Sequence, residues 1–251
     1  MAYPNYKNKH LEKALFHPGD YIKHKDKYFK NFPKNIIITY QTPALNYLKR
    51  KYKGKYEKMK FYSLLTVYTL KKEGIGFMKM TGVGAPNAGG VMEEIISLGA
   101  KKILNIGIAG GLIKEGVFLC DRAIRDEGTS HHYLPKGKYS YPDKKLTNEL
   151  EKSIKNIGLE YDIATTWTID APYRETMKEI EHYRKQGVAT VEMEASALFA
   201  IAKVRKVKIA SAFVISDTLI KEWNPKFNHI DVVKTQNKLM DAAIDCLKRN
   251  K

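Results

Sequence analysis

GFMKMTGVGAPNAGGVMEEIISLGAKKILNIGIAGG, residues 76–111, is the stretch whose reading decides the fold. It opens on a short apolar strand, residues 76–80, and breaks into the glycine loop Thr81-Gly82-Val83-Gly84. A helix follows over residues 87–98, with Val91, Ile95 and Leu98 on one face. A second apolar strand, residues 103–108, ends in Ala109-Gly110-Gly111. Strand, glycine loop, helix and strand make a βα unit, and its repetition builds an α/β sheet with helices on both faces.

The same alternation extends in both directions. Residues 35–40 (NIIITY) are a β-branched first strand, residues 43–53 a helix, and residues 61–70 (FYSLLTVYTL) a strand. Downstream, strands are expected at residues 117–125, 161–169, 187–191 and 209–215, and helices at residues 143–156, 173–186 and 195–203. Residues 231–249 close the chain with an amphipathic helix through Val232, Leu239, Ala243 and Leu247. Residues 1–34 are polar, aromatic and basic, an N-terminal arm with one or two short helices. No linker, repeat or low-complexity block interrupts residues 35–251. The expected fold is a single α/β domain, its mixed, mostly parallel sheet covered by helices on both faces.

Bulk composition narrows the function classes. The 251 residues, 43% of them hydrophobic, suffice for a sizeable core. The two cysteines, Cys120 and Cys246, have no paired spacing, so neither a disulfide framework nor a zinc site is expected. The N-terminus lacks the apolar core of a signal peptide, and no stretch is long enough to span a membrane, which points to the cytoplasm. The net charge of +17 would suit nucleic acid, but the lysines are scattered over every segment. Even the densest cluster, residues 49–60, reads as a solvated helix end and turn, without a nucleic-acid-binding signature.

Chemistry concentrates at two strand ends, Val191-Glu192-Met193-Glu194-Ala195 and Ile215-Ser216-Asp217. In open α/β sheets ligands gather at the carboxyl ends of strands. Acids there are expected to face a ligand, and the vicinal diol of a sugar suits a carboxylate that accepts two hydrogen bonds. Helix-capping acids, with an N-cap at Ser216 or Asp217, are the structural alternative for either segment alone. The loop Gly82-Val83-Gly84 starts like a dinucleotide fingerprint, but Asn87 holds the third glycine position and no acid ends the next strand. Ala109 and Gly110 leave room for a flat ring against backbone. Arg125 and His131 sit in a polar loop, residues 125–133, without metal-site spacing.

Taken in order, these motifs resemble the nucleoside phosphorylase and uridine phosphorylase superfamily, which includes the methylthioadenosine/adenosylhomocysteine nucleosidases. The carriers are TGVGAPNAGGVMEEIISLGA (81–100), NIGIAGGL (105–112), IRDEGTSHHY (124–133), TIDAPYRET (168–176), VEMEASALFAIA (191–202) and VISD (214–217). The resemblance implies cleavage of a nucleoside's N-glycosidic bond, with Glu194 and Asp217 as the catalytic acids. Glu194, Met193, Val83 and His17 match positions around the ribose. Ala109, Gly110, Tyr173, Glu192 and Asp217 match positions around the base, with Asp217 protonating N7 of a departing purine. It also implies a homo-oligomer built from dimers, up to a hexamer, with no cofactor beyond phosphate as co-substrate.

The departures fall where phosphate should bind, and the glutamate that the hydrolytic branch carries near the first strand likewise has no equivalent in residues 38–45. Tyr40-Gln41-Thr42-Pro43-Ala44 stands in place of a glycine-aspartate-proline-x-arginine turn, and Asn105 and Ile108 replace an arginine and a hydroxyl residue. Gly84, Asn105 and Lys60 are what remains for phosphate, Lys60 lying near where a neighbouring subunit's arginine would act. The reading that follows is a purine-leaning nucleoside phosphorylase, uridine being the other base, active in nucleoside salvage. The alternatives are a nucleosidase that uses water and a catalytically weak nucleoside-binding protein.

Overall fold

The computed structural model describes residues 4–25, 31–61 and 65–249. In chain order its elements are α1 (Pro18–Lys25), β1 (Asn35–Thr39), α2 (Thr42–Lys51), β2 (Tyr56–Phe61), β3 (Leu65–Leu70), β4 (Ile75–Lys79), α3 (Ala85–Ser97), β5 (Lys102–Gly111), β6 (Val117–Asp126), β7 (Tyr139–Ser140), α4 (Lys144–Asn156), β8 (Asp162–Ile169), α5 (Met177–Arg184), β9 (Val188–Glu192), α6 (Ala195–Arg205), β10 (Lys208–Leu219), β11 (Trp223–Pro225) and α7 (Ile230–Arg249).

Among the described residues all the strands join one mixed sheet, in the order β11-β10-β6-β8-β9-β5-β1-β4-β3-β2, with β7 on β6. β10 also pairs with β5, so β10, β6, β8, β9 and β5 close into a ring from which β1, β4, β3 and β2 extend. The long pairings β5–β10 and β6–β8, and those of β1 with β4 and β5, are parallel. The antiparallel pairings are shorter or lie towards the edges, as for β2–β3 and β10–β11.

Successive side chains of the central strands point to opposite faces and meet different helices. Ile36 and Ile38 of β1, Ile103 of β5 and Ile209, Phe213 and Ile215 of β10 pack with α3 and α6. Ile37, Leu104, Ile106, Ala210, Ala212 and Val214 pack with α2, α4 and α7. Burial on both faces explains why these strands read as continuous apolar runs. Helix α6 is buried from Ala195 through Ala202, which accounts for its apolar sequence on every side.

Among the differences from the sequence reading, three have a clear local cause. Residues 61–70 are not one strand, because β2 ends at Phe61 and its partner β3 begins at Leu65, antiparallel to it. That apolar run offers only Ser63 as a turn signal. Helix α5 starts at Met177, after a 3₁₀ turn at Pro172–Arg174, because the Thr176 hydroxyl caps it by accepting the Glu179 N–H at 3.4 Å. Strand β10 continues through Ser216 and Asp217 to Leu219 and turns back into β11, so neither residue caps a helix.

Candidate functional site

Gly110 of β5 lies between two strands, opposite Val191 of β9 and Asp217 of β10. A β-bulge sets the second pairing: Ile215 opposes Ala109 and Asp217 opposes Gly110, which leaves Ser216 extra. Bulges re-aim side chains, and this one turns Asp217 away from the core that Ile215 occupies. A side chain at Gly110 would displace its neighbours. A Cβ there would stand 2.7 Å from Leu219 Cδ1 and 2.9 Å from Val191 Cγ1, with Asp217 Oδ2 at 3.5 Å.

These strand ends wall a cavity of about 240 Å³. Val83, Ala109, Gly110, Glu192, Met193, Glu194 and Asp217, all expected from the sequence, line it together. Tyr40, Gln41, Ile108, Pro172, Glu175, Val191, Ser216 and Phe227 complete the wall. Among the described residues the lining therefore holds four carboxyl groups and no lysine, arginine or histidine. A larger hollow opens at the amino ends of β6 and β8, crossed by the Lys114–Asp162 ion pair. It lies at the wrong ends of the strands for an α/β ligand site.

The carboxylates have different duties. Glu192 Oε2 accepts the N–H groups of Glu194 at 2.8 Å and Ala195 at 2.6 Å, while Oε1 accepts the Thr168 hydroxyl at 2.5 Å. It thereby satisfies the free donors at the start of α6. Glu194 reaches across the cavity mouth, where its Oε1 accepts the Gly84 N–H at 2.6 Å. Gly84 adopts φ +97°, a conformation glycine tolerates and that aims this N–H at the carboxylate. Burial pushes both carboxyls above the ordinary range, and the charge of Glu192 raises Glu194 further.

On β10, Asp217 Oδ1 accepts the Ser216 hydroxyl at 2.8 Å and Oδ2 accepts the Trp223 indole N–H at 3.0 Å. Glu175 faces the same space, and burial followed by the Asp217 charge pushes its carboxyl up to about 7.

Other expected site residues lie outside this wall. Tyr173 is 98% exposed on the 3₁₀ turn, while its neighbours Pro172 and Glu175 face the cavity. His17 is exposed at the start of α1, its N–H bonded to Asp20. Lys60 is exposed on β2, at the far edge of the sheet. Asn105 is buried inside β5, its Nδ2 donating to Ser211 Oγ at 3.1 Å. Arg125 braces its own loop through Ser130, Leu134 and Pro135, with the His131 ring against it. Among the described residues no cluster of His, Cys, Asp or Glu could hold a metal ion. No described helix is long and apolar enough to cross a membrane.

A family model described as the phosphorylase superfamily matches residues 36–249. The chain belongs to the phosphorylase superfamily. Within it, the chain is 29% identical over 159 residues to a DeoD-type purine nucleoside phosphorylase of Streptococcus thermophilus, covering 61% of this chain and 73% of that one. It spans only 58 to 61% of the length of several other curated relatives. Among solved structures, purine nucleoside phosphorylase from Toxoplasma gondii in complex with immucillin-H superimposes with a TM-score of 0.79 at 17% identity, covering 89% of this chain and 94% of that one. AMP nucleosidase from Bacteroides thetaiotaomicron gives 0.75 at 21% identity, covering 94% and 100%. The superfamily fold thus extends over nearly the whole chain.

Residues of the site that sequence reasoning left out carried weak signals. Glu175 follows a proline-led turn, Phe227 lies in an irregular segment after β11, and in the sequence Tyr40 signals only a departure from the phosphate turn.

Proposed function

We propose that this chain cleaves the N-glycosidic bond of a purine nucleoside and passes the ribosyl group to water. The carrying observation is that Glu194 and Asp217 line one cavity together with the backbone of Ala109 and Gly110, Asp217 standing directly opposite Gly110. Glu194, oriented by the Gly84 N–H, holds the ribose 2′- and 3′-hydroxyls, with Met193 and Val83 against the sugar. Asp217, fixed by Ser216 and Trp223, faces N7 of the departing purine and in its protonated form donates to it. Glu175 lines the same cavity and gives the base a second carboxyl partner.

The chemistry follows from charge. As the C1′–N bond lengthens, positive charge grows on the ribose and negative charge on the base. Carboxylates beneath the sugar stabilise the first, and a proton donor at N7 stabilises the second.

Water as acceptor is supported by the lining itself. Among the described residues it contains no lysine, arginine or histidine, and a phosphate dianion buried among carboxyl groups would be costly without one. The second reading, phosphorolysis, is supported by the purine and uridine phosphorylases among the relatives. In that reading a neighbouring subunit supplies the missing positive charge, with Lys60 as this chain's contribution to its neighbour. Chromatography of a nucleoside panel, with and without phosphate, separates the two. Free base and ribose in phosphate-free buffer support water. Ribose 1-phosphate formed only with phosphate supports phosphorolysis, and no free base under either condition excludes both.

A further inference from the structure

Three of the four carboxyl groups in the cavity wall are bonded within the protein: Glu192 to the start of α6, Glu194 to Gly84, and Asp217 to Ser216 and Trp223. Glu175 is the fourth. It is half-buried and lines the cavity, and among the described residues neither of its oxygens has a hydrogen bond or an ion pair. Drawing a carboxylate out of water without a partner is unfavourable. On the wall of a ligand site, N–H donors of the ligand complete its bonds.

Packing sets where this carboxyl stands. Glu175 lies on the connection from β8 to α5, and both ends of that connection are anchored in one apolar cluster. Ile169 and Ile180 pack there with Val191, and Leu219 of β10 lies against them. Arg184 of α5 also donates to the Ile220 carbonyl at 3.2 Å. Leu219 Cδ1 would stand 2.7 Å from a Cβ on Gly110, the residue that Asp217 opposes. Glu175 is thereby held beside the strand that carries Asp217. Burial, then the charges of Asp217 and Glu179, push its carboxyl up to about 7, as expected of an acid with no cation nearby.

A purine whose N7 faces Asp217 still has positions 6, 1 and 2 to be read. On adenine these are an amino group, an acceptor nitrogen and a C–H. On hypoxanthine they are a carbonyl, one N–H and a C–H. Guanine has a carbonyl followed by two adjacent N–H donors, at N1 and at the 2-amino group. Two unpartnered carboxylate oxygens side by side match that last pair best.

We propose that Glu175 is the specificity-determining residue for the base and selects guanine, one oxygen accepting N1–H and the other the 2-amino N–H. The inference rests on the purine-nucleoside reading above, but not on whether water or phosphate is the acceptor. A site built to accept such donors discriminates against a substrate that lacks them, because its own polar group is then left unpaired.

The test compares kcat/KM for guanosine, inosine and adenosine in wild type and Glu175→Gln, with and without phosphate, at pH 8, where a carboxyl with a pKa of about 7 is ionised. The expected wild-type order is guanosine, inosine, adenosine, with about 10-fold or more between first and last. Glu175→Gln offers one acceptor instead of two and should narrow the guanosine-to-adenosine ratio by about 10-fold. That ratio is independent of how much protein is folded. A wild type that does not prefer guanosine, or a ratio that Glu175→Gln leaves unchanged, would overturn the proposal and leave the purine-nucleoside reading standing. If none of the three nucleosides releases base under either condition, that reading fails, and this assignment with it.

Discussion

Glu194 Oε1 accepts the Gly84 N–H at 2.6 Å, joining the residue that precedes α6 to the one that precedes α3, across 110 residues of sequence. The bond fixes the Glu194 carboxylate, the proposed ribose ligand, at the glycine loop. It also makes the shape of the glycine loop a condition of activity.

At pH 9, above the raised pKa of about 8 at which Glu194 ionises, replacing Glu194 with Gln keeps the size of the side chain and an acceptor for Gly84, but removes the charge proposed to hold the ribose hydroxyls. Hydrogen bonds to charged groups contribute about 1.5–3 kcal/mol. Steady-state base release is therefore expected to lose about 10- to 150-fold in kcat/KM. A loss under 3-fold would remove Glu194 from the sugar site.

Glu192 should behave differently, since its oxygens hold the start of α6 and the Thr168 hydroxyl. Glu192→Ala leaves buried donors unpaired and is expected to cost about 1–3 kcal/mol of stability in urea unfolding. A variant as stable as wild type would show that α6 does not depend on this carboxylate.

Stability should fall with rising pH at this site. Glu175, Glu192 and Glu194 all bind protons more tightly when folded than when unfolded. For Glu175 the stability carried by the neutral form is complete below about pH 4.5 and is lost as pH rises through about 7. Glu175→Gln is therefore expected to melt higher than wild type at pH 8 and to match it at pH 4.5. Each kcal/mol is worth about 2–4 °C in a chain of this size. Parallel melting curves from pH 5 to 8 would contradict the assignment.

Gly110→Ala introduces a Cβ within 3 Å of Leu219 and Val191. Overpacking of this kind costs about 1–3 kcal/mol, and here it also pushes on the strand that carries Asp217. Thermal melting and base release should both decline. Wild-type activity in this variant would mean that the base does not lie over Gly110.

Much of this was legible in the residues. β1, β5 and β10 announced themselves as apolar runs because both of their faces are covered. The glycine loops and the two acidic strand ends identified Val83, Ala109, Gly110, Met193, Glu194 and Asp217, which share one cavity. Less legible was whatever depends on the path of irregular backbone. The bulge at Ser216, which aims Asp217, leaves no periodic trace. Glu175 and Phe227 reach the wall from segments without regular structure, whereas Tyr173, beside Glu175, is turned outward by a 3₁₀ turn. Glu192 and Glu194 are two residues apart and chemically identical. Only the hydrogen bonds show that one is committed to α6 and the other reaches Gly84.

The most direct measurement is release of free purine from a purine nucleoside in phosphate-free buffer, wild type and Asp217→Asn side by side. Wild type is expected to release base and ribose together, and Asp217→Asn at least 100-fold more slowly, the range of a lost general acid. No base from wild type, or equal rates from the two proteins, would contradict the account.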